Sequence, residues 1–141
     1  SFHAITPIVP LEGVVEFLTY LRNNQDYKGV VTGLLRGPAE FILNKSGLID
    51  FFPILSCDDG KSTRIQVVQH AIDEAKKRRY DYSKLIVVGD TTSDIKAGKY
   101  VNAFTVGVAT GSVSLDDLRK ENPDLVLPDL TQYQRILEAV K

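Results

Sequence analysis

The sequence predicts an α/β fold: a three-layer α/β/α sandwich built on a doubly wound parallel sheet. Three observations lead there. Short β-rich apolar runs alternate with segments of helical period along the chain, the order that produces right-handed strand–helix–strand crossovers. The run Leu85-Ile86-Val87-Val88 is continuously apolar, as a strand covered on both faces must be. Each predicted strand also closes on a small or acidic group, at the end where such sheets bind ligands. These groups are Thr32-Gly33, Asp58-Asp59, Gly89-Asp90 and the stretch Gly107 to Gly111.

The elements follow in order. "SFHAITPIVP" carries prolines at 7 and 10 and reads as a connector without regular structure. "LEGVVEFLTYLRNN" sets Val14, Phe17, Leu18 and Leu21 at helical spacing. "KGVVTG" is a strand ending in glycine, and residues 38–47 form a helix with Pro38 in its first turn and Gly47 past its end. "FFPILSCDDG" holds a strand, with Asp58-Asp59 capping the next helix, "TRIQVVQHAIDEAKKRRY". Then come the strand "KLIVVGD", the short helix "TTSDIKAGKYVN" and the strand "AFTVGVATG". "SVSLDDLRKEN" is a helix with a Ser114–Asp117 capping box, "PDLVLPDL" an edge strand and "TQYQRILEAVK" a closing helix.

The totals narrow the function. The 141 residues suit one domain. A net charge of −1 offers nothing to nucleic acid or to an acidic membrane surface. Cys57 is the one cysteine, so no disulfide framework forms within the chain, which fits a reducing compartment. No apolar run approaches the ~18–20 residues that span a bilayer. Cytoplasmic residence is the expectation.

Asp90 and Asp94 are the first chemical candidates. An acid at a strand tip and another at i+4 can face one crevice, and converging carboxylates call for a cation such as Mg²⁺. Equally, Asp90 could only cap the helix, with Asp94 improving its dipole. Thr32 and Gly33 could donate a hydroxyl and an amide to a phosphate oxygen, although a strand threonine before a turn glycine has the same letters. Lys61 and Arg64 stand near a helix start, where a cation can neutralise phosphate or be simply solvated. Cys57 reads as structural, the run Lys76 to Arg79 as a solvated helix end, and neither His3 nor His70 as a catalytic base.

Taken in order, a threonine at one strand tip, a cation on a later helix and Gly-Asp-x-x-x-Asp at the next tip resemble the haloacid dehalogenase-like (HAD) hydrolases. The phosphoglycolate-phosphatase-like branch is the most similar, and the resemblance covers nearly the whole chain. It implies a Rossmann-like core in which Thr32 and the Gly33 amide bind the transferring phosphoryl group and Arg64, with Lys61 as the alternative, supplies the cation. Asp90 would coordinate Mg²⁺, and Asp94 would bind it through water or brace the site. The implied activity is Mg²⁺-dependent hydrolysis of a small phosphorylated metabolite. A receiver-like signalling module also pairs acids with Mg²⁺, but its acids precede its threonine. A non-catalytic scaffold with a relic pocket is the other rival. Dehalogenation is disfavoured, because family dehalogenases need no metal.

The family's nucleophile is the first acid of an Asp-x-Asp on a central first strand, and the first aspartate here is Asp26, ahead of "KGVVTG". The expectation is therefore a segment of a longer protein, its central first strand and any cap lying upstream. Only 31 residues separate Thr32 from Arg64, which leaves no room for a cap between them.

Overall fold

The computed structural model describes residues 1–6, 9 and 11–141. The prolines at 7 and 10 lie outside them. Six parallel strands form one sheet in the order β3-β2-β1-β4-β5-β6. They are β1 (Phe2–Ile5), β2 (Tyr27–Thr32), β3 (Ile54–Cys57), β4 (Leu85–Gly89), β5 (Phe104–Val108) and β6 (Leu125–Leu127). The helices are α1 (Val14–Asn23), α2 (Arg36–Ser46), α3 (Arg64–Lys77), α4 (Thr92–Tyr100), α5 (Leu115–Arg119) and α6 (Gln134–Ala139).

The opening residues correct the sequence reading. Phe2–Ile5 form no connector; they are the central strand, with Phe2 beside Tyr27 and Leu85 and Ile5 beside Val30 and Val88. The place expected to be empty in this chain is filled. The physical reason is hydrogen bonding: without a strand between them, β2 and β4 would each bury a row of unpaired backbone groups. All four residues of β1 are buried. Asp26 lies at the opposite rim from the ligand-binding end, where its carboxylate takes the Ser1 amino group at 3.3 Å.

Two apolar layers cover the sheet. On one side Ile5, Val30, Ile86, Val88 and Val106 pack against Phe17, Leu18 and Leu21 of α1 and Ile136 of α6. On the other, Phe2, Ala4, Val31 and Val87 meet Val67, Val68, Ala71 and Ala75 of α3 and Ala97 of α4. At about 25 cal/mol per Å² of apolar surface, this double burial is the main drive for folding. Among the described residues, no helix is long and apolar enough to cross a membrane.

Helix boundaries also sharpen the reading. Gly47 ends α2 in the left-handed region at φ 76°, as a C-terminal glycine should. Asp58 and Asp59 do not cap α3; they accept from Gly60 N and Lys61 N in tight turns. The cap is Thr63, in a reciprocal capping box with Gln66. Ser114 accepts from Asp117 N at 3.1 Å, the forward half of the expected box.

Candidate active site

Because all strands run parallel, the β2 and β4 tips open on the same rim, with the end of β1 between them. Thr32 closes β2 and is buried; its Oγ1 accepts from Leu34 N at 3.1 Å. That leaves the hydroxyl proton free to donate. Gly33 follows, with the far end of the Arg64 side chain packed against it. A Cβ there would stand 2.7 Å from Arg64 Nη2. Arg64 is the first residue of α3, whose buried stripe anchors the helix on the sheet and so aims the guanidinium across the strand ends.

Asp94 sits in the first turn of α4, 1% exposed. Its Oδ1 receives Arg64 Nη1, and its Oδ2 accepts from Thr91 N at 3.1 Å and Thr91 Oγ1 at 2.8 Å. Thr91 in turn accepts from Asp94 N, completing a capping box. Of the two roles the sequence left to Asp94, the geometry is that of a brace: its oxygens are already committed. Gly89 makes this possible, since a Cβ at that position would lie 2.6 Å from Asp94 Oδ2.

Asp90 differs. It is half-buried, and a Cβ on Gly111 would lie 2.7 Å from its Oδ2. Burial, and then the neighbouring Asp94 charge, push its carboxyl above the usual carboxylate range, with Arg64 acting weakly the other way. A partly desolvated acid that is uncomfortable as an anion is what a bound cation relieves. A hard cation fits Asp90, therefore, and fits Asp94 only at one remove. No cluster of three or more His, Cys, Asp or Glu side chains occurs among the described residues, so waters and ligand oxygens would complete the shell.

Lys61 is not part of this arrangement. It is exposed in the turn before α3, where its N–H donates to Asp59 Oδ1 at 2.8 Å. Arg64 is the cation that the fold brings to the strand tips. Cys57 closes β3 abreast of Thr32, with its thiol pushed up by burial. Thr91 escaped the sequence reading, although "TTSD" has the Thr-x-x-acid spacing of a capping box. Gly89 and Gly111 stand in the sequence only as small groups closing their strands, because packing alone shows what a side chain there would strike.

A six-stranded parallel sheet with helices on both faces, an Arg–Asp pair and a half-buried acid at one rim defines a doubly wound α/β core. Residues 1–108 match the haloacid dehalogenase-like hydrolase family, and the chain belongs to that family. It is 31% identical to a phosphonoacetaldehyde hydrolase of Bacillus cereus (strain G9842) over 94% of this chain and 50% of that protein. It is 28% identical to a phosphoglycolate phosphatase of Agrobacterium fabrum over 85% of this chain and 51% of that one. Among solved structures, a hydrolase from Pseudomonas syringae superposes with a TM-score of 0.77 at 22% identity, covering 94% of this chain and 63% of its own. A β-phosphoglucomutase from Clostridium difficile gives 0.73 at 24%, covering 92% and 55%. These show the fold. The chain spans about half the length of the curated relatives it matches.

Proposed function

We propose that residues 1–141 form the phosphate-binding part of a Mg²⁺-dependent hydrolase that acts on a small phosphate monoester in the cytoplasm. One observation carries the reading: Arg64 lies against Gly33 at the β2 tip and pairs with Asp94 over the β4 tip, linking the two junctions at one rim. Thr32 donates its hydroxyl to a phosphoryl oxygen, and the Gly33 amide and Arg64 meet the others. Fixed donors of this kind stabilise charge that moves during phosphoryl transfer. Asp94 and Thr91 hold the guanidinium in place. Mg²⁺, held at Asp90, would supply screening between the phosphate and an incoming anionic nucleophile.

That nucleophile is an aspartate that attacks phosphorus, the resulting aspartyl-phosphate being cleaved by water. In this reading it lies outside residues 1–141, and any specificity cap lies upstream with it. Phe2–Ile5 hold the central place, so a strand bearing Asp-x-Asp enters only by displacing β1. Residues 1–141 alone would bind phosphate without turning it over. The curated relatives' names mention a phosphonate and a phosphate ester, which share the dianionic head that Thr32, Gly33 and Arg64 would grip.

A second reading, a phosphate- and Mg²⁺-binding or scaffold domain without catalysis, is favoured by Thr6. It follows β1 at the end of the central strand, where a carboxylate would be needed. Calorimetric titration of the 141-residue chain with inorganic phosphate, with and without Mg²⁺, tests both. Binding strengthened by Mg²⁺ and weakened by Thr32→Val is expected; a chain that takes up no phosphate at millimolar concentration overturns the site and leaves a scaffold. A longer form of the protein that binds phosphate yet hydrolyses no phosphate monoester leaves the binding domain.

A further inference from the structure

β3 stands at one edge of the sheet, with β2 as its neighbour. Beyond its end, Asp58 N donates to Leu34 O, back towards the β2 side. Backbone groups of successive strand residues turn to opposite sides. Leu55 and Cys57, of the other parity, therefore direct their N–H and C=O groups out of the sheet. Leu55 O, on that outer side, accepts from Arg36 Nη2 at 3.0 Å. A row of this kind is a template for a further strand.

A groove of about 410 Å³ follows the edge, with Pro53–Cys57 along it. His70, Glu74 and Arg78, spaced four residues apart on one face of α3 and its C-terminal end, form a wall. Ser56 Oγ donates to Val67 O at 2.6 Å and fixes the strand to that helix. Arg36 reaches in from the start of α2. Arg78 uses Nε on Glu74 at 3.2 Å, and Arg36 Nη1 lies 3.4 Å from Glu40. Each guanidinium carries five N–H donors, so both keep donors to spare. The groove thus combines alternating backbone donors and acceptors with two arginines against one acid, Glu74.

We propose that this edge docks an extended acidic peptide segment of another protein, which adds to β3 as a strand and sets its carboxylates against Arg36 and Arg78. Alternating N–H and C=O groups are matched along their length by another extended backbone, and the arginines select its charge. A second copy of this chain would bring the same arginines to the same groove, like charge against like. Arg36 guards the edge while it is empty. A carboxylate is a stronger partner for a guanidinium than the Leu55 carbonyl, so the ligand itself frees that carbonyl. Pro53 has no N–H to offer, which confines full pairing to Leu55–Cys57 and keeps the contact weak. The inference goes beyond the phosphate-site reading and stands without it.

Fluorescence anisotropy of a labelled Val-Glu-Val-Glu-Val peptide with the 141-residue chain at low salt tests this. Saturable binding is expected, and Val-Lys-Val-Lys-Val should not bind. Arg78→Gln should weaken the acidic peptide about fivefold, the scale of an exposed ion pair. Arg78 is exposed, so this variant should melt with the wild type. N-methylation of every peptide amide keeps the charges, removes the donors and should abolish binding. An N-methylated peptide that binds as well as its parent overturns strand addition and leaves an ionic surface contact. No binding at millimolar peptide overturns the site altogether. A wild type that sediments as a dimer and dissociates on adding the peptide gives the groove to a second copy and overturns the assignment to another protein.

Discussion

Arg64 and Asp94, 30 residues apart in the chain, form an ion pair in which the acid is 1% exposed and the base 21%. The pair joins the first turns of α3 and α4 and ties the guanidinium to the rim of the sheet. Its burial makes it sensitive to loss of one partner. Arg64→Met leaves a buried carboxylate without its counter-charge and should lower stability by about 3 kcal/mol. The same variant should lose phosphate binding. Urea unfolding measures the first and calorimetry the second; a variant of unchanged stability would show that the pair is only a solvated contact.

Gly89 gives a steric test of the same brace. A methyl group at this position meets Asp94 Cβ, Cγ and Oδ2. Gly89→Ala should therefore destabilise the fold by about 1–3 kcal/mol, the usual cost of overpacking, and should weaken phosphate binding by displacing the acid that holds Arg64. Gly37 is the control. Nothing lies within 4 Å of its added Cβ, so Gly37→Ala should be neutral or stabilise by about 0.5 kcal/mol. Urea midpoints compared side by side decide it.

His3 predicts the acid limb of the stability curve. Its ring is buried against Phe17, both nitrogens lack partners among the described residues, and burial pushes its pKa down to about 4. A base whose folded pKa lies below its unfolded value of 6.5 contributes stability above pH 6.5, and that contribution falls away as pH drops towards 4. The loss should reach about 3 kcal/mol. His3→Leu should flatten the slope of stability between those pH values, and a slope equal to the wild type's would rule His3 out as its source.

Asp90 acts in the opposite sense. Its folded pKa is raised, so the folded state binds the proton more tightly, and stability is lost as pH rises through the range above the usual carboxylate value. Asp90→Asn removes that charge and should raise the urea midpoint at pH 7. It should also abolish the gain in phosphate affinity produced by Mg²⁺. Stability and binding moving in opposite directions is the mark of a residue kept for its ligand. A midpoint lowered by the substitution would contradict it.

Much of this protein was legible before any coordinate. The unbroken apolar run of β4, the glycine after α2, the order Thr32, Arg64, Asp90, Asp94 and the common rim all follow from local pattern and from parallel topology. Period, chain order and strand–helix alternation are properties of neighbouring residues, and they determined the fold class and the candidate set. Contacts between distant residues were beyond them. Pro7 and Pro10 disguised Phe2–Ile5, because four residues carry too little period to outweigh two breakers; their strand exists through its partners on β2 and β4. The choice of Arg64 over Lys61, the commitment of Asp94 to bracing and the half-buried place of Asp90 beside Gly111 were likewise decided only by packing. Three residues along an irregular turn move a cation from solvent to the strand ends, and tertiary packing alone sets that distance.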